Sequence, residues 1–575
     1  MTQSPTLRTD PVVVSTATEP VVSPRSFGRA ALVAGIAVVV IAGLLVRVWA
    51  VGRQPVNGDV AIVGLMAHEI LRGHFFAFYW GQRYGGGEPY VVAVLFAIFG
   101  QSTMTLGMVP VLLDAVAGLL IWRIGVRLSD QRVGVLAALL FWIWPEAYVW
   151  QSTMEYGFRW LALDCGLGLA LIGLRLATGP QSFRAQVRDF TLFGLLLGVG
   201  WWCSPEIVYY ALPIVVVLAT SAQRSRLLRP SALLGAVLAA LLGALPWLWA
   251  NLRSGFRSFH SGPIPHDSFV FHLGAFFGHA LPMLLGLQLR ISGNWLIDPT
   301  FGQAIYSTDL LAIALCLIVL VRERRGGFLV LFMVATPIVY ALSPYNWYWA
   351  DGRYAIYFAP VLSLVAGFGV FRLGSWIEHR ASLGALRRVI AWSLPVVLVI
   401  AAGTLSVVAM HRLAPYRPQR ILDGARPTWT AWQSNPDIYL DALLATLDAR
   451  QIHDVYAGYW IAGPLQFESH GGVLASDIVF VRYEPYLQGI ESSSRPTWLF
   501  INSAHRTRAA AEIGSRALDP GCVAGLSCIS ALRFEQYLTS AKDRFSSSMV
   551  GDFVLVRPRR AIAPTQLISY FHLVA

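Results

Sequence analysis

The feature that most constrains this chain is an alternation of apolar stretches with short polar loops, in which arginine occupies every second loop. One set of loops carries Arg127 and Arg132; Arg175, Arg184 and Arg188; Arg224, Arg226 and Arg229; Arg322, Arg324 and Arg325; and Arg380, Arg387 and Arg388. The interleaved short loops, near 151–156, 204–205 and 343–351, contain neither Arg nor Lys. Cytoplasmic loops of membrane proteins retain positive charge, so the alternation fixes sidedness as well as spans. Spans are expected near 30–51, 106–126, 133–150, 157–176, 189–203, 206–221, 231–250, 309–321, 327–342, 354–371 and 390–410, about eleven in all. Arg25 and Arg29 precede the first, which lacks a signal-cleavage site, so the N-terminus is expected in the cytoplasm. An odd number of crossings leaves the C-terminus outside.

Composition agrees. Hydrophobic residues make up 56% of the 575 and charged residues 13%, where soluble domains carry roughly 25% charge. The net charge of +12 sits in the topology-setting loops, so it does not indicate nucleic acid. Lys542 is the one lysine, and this Arg bias points to a GC-rich bacterial genome. The expected location is therefore the bacterial cytoplasmic membrane. Of the five cysteines, Cys165, Cys203 and Cys316 fall in or beside apolar spans. Cys522 and Cys528 lie close together in a polar segment, where a bridge would need an oxidising compartment.

Three regions follow. Residues 1–26 read as a disordered cytoplasmic tail, 27–412 as a polytopic α-helical membrane domain, and 413–575 as a small extracytoplasmic α/β domain. In the last, 437–452 has helical period, 453–457, 496–502 and 552–557 read as strands, and 506–518 as a further helical piece. The segment 251–307 is a long outer loop with His260, His266, His272 and His279, whose spacing matches no metal site.

The first outer loop, 56–100, does not read as another simple span. Its amphipathic pieces, 61–71 and 90–99, are too short to cross a core needing about 20 residues. They are expected to lie along the outer membrane face, with Asp59 at the water boundary. Acids and polar aromatics collect on that same side: Glu155 in the second outer loop, Glu206 in SPEIVYY, and Asp351 with Arg353 in SPYNWYWADGRYAIYF. Ionisable groups near membrane depth are functional candidates. Plainer readings stand beside each. Asp59 would cap a helix starting at Val60, Glu155 would be a solvated loop acid and Glu206 a boundary residue. Arg353 would snorkel to headgroups, and the Trp and Tyr residues would form an interfacial belt. His68 and Glu69, adjacent on a helix, diverge.

These residues resemble a known family. Asp59, GHFFAFYWGQRYGG (73–86) and LFAIFG (95–100) look like the opening of bacterial GT-C glycosyltransferases of the protein-mannosyltransferase and aminoarabinose-transferase kind. WPEAYVWQSTMEYG (144–157) resembles their second outer loop, and DGRYAIYFAPVLSLVAG (351–367) their Arg-Tyr span opening. The likeness covers roughly 1–410. It implies transfer of a sugar from a polyprenyl-phosphate donor to a glycan, lipid or protein acceptor at the outer face. By it, Asp59 takes the place of the general base, Glu155 that of the second-loop acid, and Arg353 that of the cation holding the donor phosphate. Arg83 and Arg159 are possible assistants, and Tyr84, Glu88, Tyr156, Glu206 and Tyr354 are expected to line the substrate. The chain has Asn57-Gly58-Asp59 in place of a DxD or Asp-Glu pair, so no cofactor is expected and a divalent metal is not indicated.

The chemistry is consistent with those roles. A carboxylate within hydrogen-bond reach of an acceptor hydroxyl contributes typically about 10²–10⁴-fold. An arginine fork matches the oxygens of a departing phosphate. In-line attack with one base inverts the sugar carbon. The competing reading is a transporter or flippase of lipid-linked cargo, which would need polar or broken helices at the bilayer midplane; here the midplane is expected to be apolar. A non-catalytic scaffold is the third.

Overall fold

Capping side chains written into the sequence set where many of the helices begin. Asn57, Ser102, Asp130 and Ser182 each accept a hydrogen bond from a backbone N–H of the first turn that follows. The structure, a computed structural model, describes residues 24–52, 56–178, 182–221, 230–260, 268–289, 293–323, 325–343, 353–380, 386–413, 440–501, 526, 529–551, 553–571 and 573. Nearly all of the expected 1–26 tail, Asp351, His266, Cys522, Cys528 and the 506–518 helix lie outside the described residues.

The membrane part contains α1 (Pro24–Val51), α2 (Gly58–Leu71), α3 (Glu88–Phe99), α4 (Thr103–Leu128), α5 (Gln131–Ile143), α6 (Glu146–Gln151), α7 (Trp160–Thr178), α8 (Phe183–Cys203) and α9 (Val208–Thr220). It continues with α10 (Pro230–Gly243), α11 (Leu245–Ser254), α12 (Pro299–Arg322), α13 (Gly327–Leu342), α14 (Ala359–Arg380) and α15 (Leu386–Leu413). Among the described residues, six helical stretches are long and apolar enough to cross a membrane: 30–51, 103–128, 160–178, 299–322, 353–379 and 389–411. The pair α10–α11, bent by 64°, makes a seventh if counted as one span. The other four expected spans fall on α5, α8, α9 and α13. Of these, α5 is cut short where Trp144 turns extended before Pro145. This is a multi-pass membrane protein.

Helix packing follows small residues. A Cβ on Gly194 of α8 would lie 1.9 Å from the carbonyl oxygen of Ala236 on α10, so only glycine permits this approach. α7 sits at the centre of the bundle, and α1 and α12 at its edge, with mostly exposed apolar faces.

The helical bundle encloses a charged pair that the sequence reading did not single out. Arg47 of α1 and Asp114, near the middle of α4, form a fully buried ion pair at 2.6 Å. Arg47 also donates to Ser152 Oγ and the Trp142 carbonyl, and Tyr148 donates to Asp114 Oδ1 at 2.7 Å. Such a satisfied network locks α1, α4, α5 and α6 together, whereas removing one partner would strand a buried charge.

The C-terminal part comprises α16 (Asp441–Ala449), β1 (Asp454–Ala457), α17 (Tyr459–Glu468), β2 (Leu474–Ser476), α18 (Glu484–Glu491), β3 (Thr497–Ile501), α19 (Ala531–Ser540), β4 (Phe545–Val550), β5 (Phe553–Pro558) and α20 (Pro564–Phe571). Its sheet runs β2-β1-β3-β5-β4, parallel across β2, β1 and β3 and antiparallel at β3-β5 and β5-β4. Alternation along the strands feeds two cores. Val455, Ala457, Leu499 and Leu555 face α16 and α17, while Tyr456, Trp498, Phe500 and Val556 face α19 and α20.

The expected placement of 61–71 on the membrane face is corrected. α2 is buried along most of its length, because α17 of the C-terminal domain lies directly on it, with Phe467 against Gly64 and Trp460 against Gly58. The helix was too short to span and apolar on most sides, and protein rather than lipid covers it. α3, by contrast, keeps Val94, Ile98 and Phe99 exposed.

Candidate active site

Asp59 stands in the first turn of α2, but Asn57 supplies the cap, its Oδ1 accepting from Val60 N at 3.0 Å. The Asp59 carboxylate is therefore released from the plain capping role. Its Oδ1 accepts from the Tyr459 hydroxyl at 2.5 Å, and its backbone carbonyl accepts from the Tyr79 hydroxyl at 2.8 Å. Burial pushes both phenols above their ordinary range, and for each the Asp59 charge adds to that, so both stay protonated donors. Burial works against the charge of Arg482, but Tyr459, Tyr79 and Asp59 more than offset it and raise its pKa. Its guanidinium lies 4.5 Å from the Tyr459 ring centroid.

On the other side of the carboxylate, Arg353 Nη1 lies 3.7 Å from Asp59 Oδ2, with the two side chains 14% and 28% exposed. A well-formed charge-assisted bond is about 2.7–2.9 Å, so this contact is loose enough for another anion to enter. Arg353 lies at the edge of the bundle core and does not reach out to headgroups. Its guanidinium faces the rings of Tyr156 and Tyr354 at 5.6 and 5.9 Å, and Arg159 faces the same two rings at 5.5 and 5.1 Å. Arg159 Nε is 3.4 Å from Glu206 Oε2, which also accepts from the hydroxyls of Ser204 at 3.2 Å and Tyr357 at 3.1 Å. Glu206 is thus tied into the cluster and is not a loose boundary residue. Arg353 joins Asp59 to four further expected residues, since it shares Tyr156 and Tyr354 with Arg159, which pairs with Glu206.

Glu155 is placed differently. It is fully buried, not solvated, and is hydrogen-bonded to Glu88, the first residue of α3. Gly157 N donates to Glu155 Oε1 at 2.7 Å and Leu161 N to Glu88 Oε2 at 3.0 Å. Burial raises both carboxyls above their ordinary range, Glu155 the further, since it also feels the Glu88 charge. Glu88 Oε1 and Glu155 Oε2 accept no hydrogen bond from another residue among the described residues, so a proton on either carboxyl would serve both.

Arg83 turns away, donating to the carbonyls of Arg257 and His260; the 251–307 segment expected as one long loop is helical over 269–284 and again from Pro299. Arg83 is exposed and ties that segment down. Tyr84 lies between, edge-on to Phe158 at 5.3 Å, and Phe158 in turn meets Arg159. Among the described residues no three His, Cys, Asp or Glu side chains gather in a metal-binding group.

Tyr459 escaped the sequence reading. It lies two residues beyond β1, past Gly458, at the carboxyl end of a parallel strand, where α/β sheets place ligands. That position was its only sequence signal. Glu69 is the second connection to the C-terminal domain: Tyr486 and Arg72 donate to its Oε1, at 3.1 and 3.0 Å, and His74 Nδ1 lies 2.7 Å from Oε2. Nearby, Trp80 and Tyr483 stack at 4.3 Å.

Residues 87–249 match the family model described as dolichyl-phosphate-mannose-protein mannosyltransferase. The undecaprenyl phosphate-alpha-4-amino-4-deoxy-L-arabinose arabinosyl transferase of Pseudomonas aeruginosa is 29% identical over 192 residues, 32% of this chain. The match spans about a third (33%) of that relative's length. Over nearly the whole chain the fold is that of ArnT from Cupriavidus metallidurans. The apo structure aligns with a TM-score of 0.58 at 13% identity, covering 92% of this chain and 98% of that one. The structure bound to undecaprenyl phosphate gives 0.56 at 13% identity, with 91% and 98% covered. The resemblance to GT-C transferases of the mannosyltransferase and aminoarabinose-transferase kind is thereby shown. Glu88, Glu155, Tyr156, Arg159 and Glu206 lie inside the family match, and Asp59 and Arg353 outside it.

Proposed function

We propose that this chain is an inverting glycosyltransferase that moves a hexosyl or pentosyl group from a polyprenyl-phosphate donor to an acceptor hydroxyl. The acceptor is a glycan, lipid or protein at the outer face of the bacterial cytoplasmic membrane. The reading rests on one observation above the rest: a partly open carboxylate, Asp59, faces a partly open guanidinium, Arg353, across 3.7 Å. The undecaprenyl-phosphate chemistry named for the Pseudomonas relative and bound by the Cupriavidus structure supports the donor class.

In this reading the donor phosphate enters beside Arg353 and loosens its contact with Asp59. Arg159, held by Glu206 and the shared tyrosines, adds a second positive field. The lipid phosphate gains negative charge as the sugar–oxygen bond breaks, and two fixed guanidiniums stabilise that charge without reorganising. The Asp59 carboxylate then accepts the proton of the attacking hydroxyl. Tyr459 fixes Oδ1, leaving Oδ2 directed toward the arginines and the reacting groups. The acceptor oxygen bonds to the anomeric carbon as the phosphate leaves from the opposite side, so the product is inverted.

The test uses purified protein in liposomes with a panel of radiolabelled polyprenyl-phosphate sugars, following release of polyprenyl phosphate. Wild type should release it from one sugar class. Asp59→Asn should lower turnover by about 10²-fold or more while still binding donor. Because Asn57 supplies the cap, its thermal midpoint should barely move. Release unaffected by Asp59→Asn would remove the base from this account. No release from any donor, with membrane extract supplying acceptors, would favour the transporter.

A further inference from the structure

At the far ends of the helices that build this site lies a second polar feature for which sugar transfer has no use. Arg159 precedes the first turn of α7 and Arg175 occupies its last, so the two are separated by roughly 24 Å of helix at 1.5 Å per residue. Around Arg175 is a cavity of about 720 Å³ lined by Arg123, Val126, Arg127, Leu171 and Arg325, with Thr178 and Ala185 completing it. Its volume is that of an ordinary ligand pocket, about 300–1,000 Å³. Among the described residues, four arginines and no acid line it.

Topology alone requires only that arginines sit in loops on one side. Here three helical arginines, from α4 and α7, and one from the α12–α13 loop converge on a single space. The nearby acid is already engaged: Asp189, fully buried, pairs with Arg175 at 2.9 Å and Arg188 at 3.2 Å. Arg325 donates to the Arg127 carbonyl at 2.7 Å, which brings the loop to the cavity. Arg127 Nε is buried without a hydrogen-bond partner among the described residues. Like charges gathered in a partly desolvated space are costly unless an anion joins them.

The walls say what kind of anion. Val126 and Leu171 are apolar, and on α4 the exposed residues Leu112, Val116 and Leu119 form one helical stripe that ends at Arg123. An acyl chain lying along that stripe would deliver its headgroup to the arginines. We propose that this cavity binds the phosphate headgroup of an anionic phospholipid, in the leaflet opposite the Asp59 cluster. Basic pockets between helix ends are a known chemical solution for such headgroups.

The test uses the full-length protein in nanodiscs of mixed phosphatidylglycerol and phosphatidylcholine, with retained lipid counted by native mass spectrometry after delipidation. Wild type should hold phosphatidylglycerol in preference to phosphatidylcholine. Arg123→Gln with Arg325→Gln should reduce that retention by about tenfold or more. Arg132→Gln with Arg184→Gln removes the same charge from the same face outside the cavity, and should change it by less than about twofold. Ala185→Trp, which keeps every arginine and fills the space, should lower retention as the cavity pair does, and covers the case in which that pair fails to fold. Equal losses in the cavity and control pairs, no loss with Ala185→Trp, or equal retention of both lipids would overturn the proposal. Complete displacement by inorganic phosphate would assign the site to a soluble anion instead.

Discussion

Two carboxyl groups that share a buried site cannot both ionise at modest cost, and Glu88 and Glu155 share such a site. Each is held above its ordinary value of 4.5, so above that pH the folded chain binds more protons than the unfolded one. Stability is therefore full in acid and declines as pH rises from 4.5 through the raised range of the pair. Glu155→Gln replaces the protonated carboxyl with a permanently neutral donor. It should flatten the fall in thermal stability above pH 4.5 by up to one proton's slope, about 1.4 kcal/mol per pH unit. An unchanged slope would mean the pair does not hold a proton. Tyr459→Phe should cut turnover by about tenfold, since one hydrogen bond to a charged group is worth about 1.5–3 kcal/mol, while donor affinity stays near wild type. Equal activity in a kinetic assay would show that the hydroxyl does not orient Asp59. Charged residues such as Asp59, Arg159, Glu206 and Arg353 were legible because a membrane chain has few reasons to keep them. Tyr459 was not, since an aromatic residue in a soluble domain is ordinary and its partner lies 400 residues away.

At the level of elements, the junction between α2 and α17 decides whether Tyr459 reaches Asp59 at all. Gly64 is the point of closest approach, where a Cβ would meet the Phe467 ring at 2.3 Å. Gly64→Leu should overpack this contact and cost about 1–3 kcal/mol, loosening the C-terminal domain and lowering activity in parallel. Combining it with Phe467→Ala should restore part of both, because the new side chain then occupies the vacated ring volume. Thermal unfolding and protease sensitivity of the single and double variants measure this, and additive damage would refute the contact. Sequence periodicity identified α2 correctly as a short helix that does not span. It assigned the wrong cover, because lipid tails and the apolar face of another helix satisfy the same residues equally well. Strands β1, β3 and β5 were legible from their β-branched and aromatic runs. β2, of three residues, and β4, whose core reads Ser546-Ser547-Ser548, lacked that signal.

For the whole molecule, the contact between Tyr459 and Asp59 imposes a parity rule. Residue 59 and residue 459 must lie on one side of the membrane, so the chain between them crosses an even number of times. Ten expected spans follow Asp59, and the helices α4 to α15 supply one for each when α10–α11 counts once, α6 is counted with α5, and the short apolar helix at 269–284 is taken not to cross. The arginine alternation independently leads one to expect the opposite helix ends in the cytoplasm. Both arguments give the same prediction for accessibility. In a chain with its five native cysteines replaced by alanine, Ser540→Cys on α19 should react with a membrane-impermeant maleimide in intact cells. Arg132→Cys, at the start of α5, should react only after permeabilisation. The reverse pattern would put Asp59 in the cytoplasm, where nucleotide sugars are available, and would remove the reason for a lipid-linked donor. Labelling of both from outside would break the parity, and with it the docking of the C-terminal domain on α2.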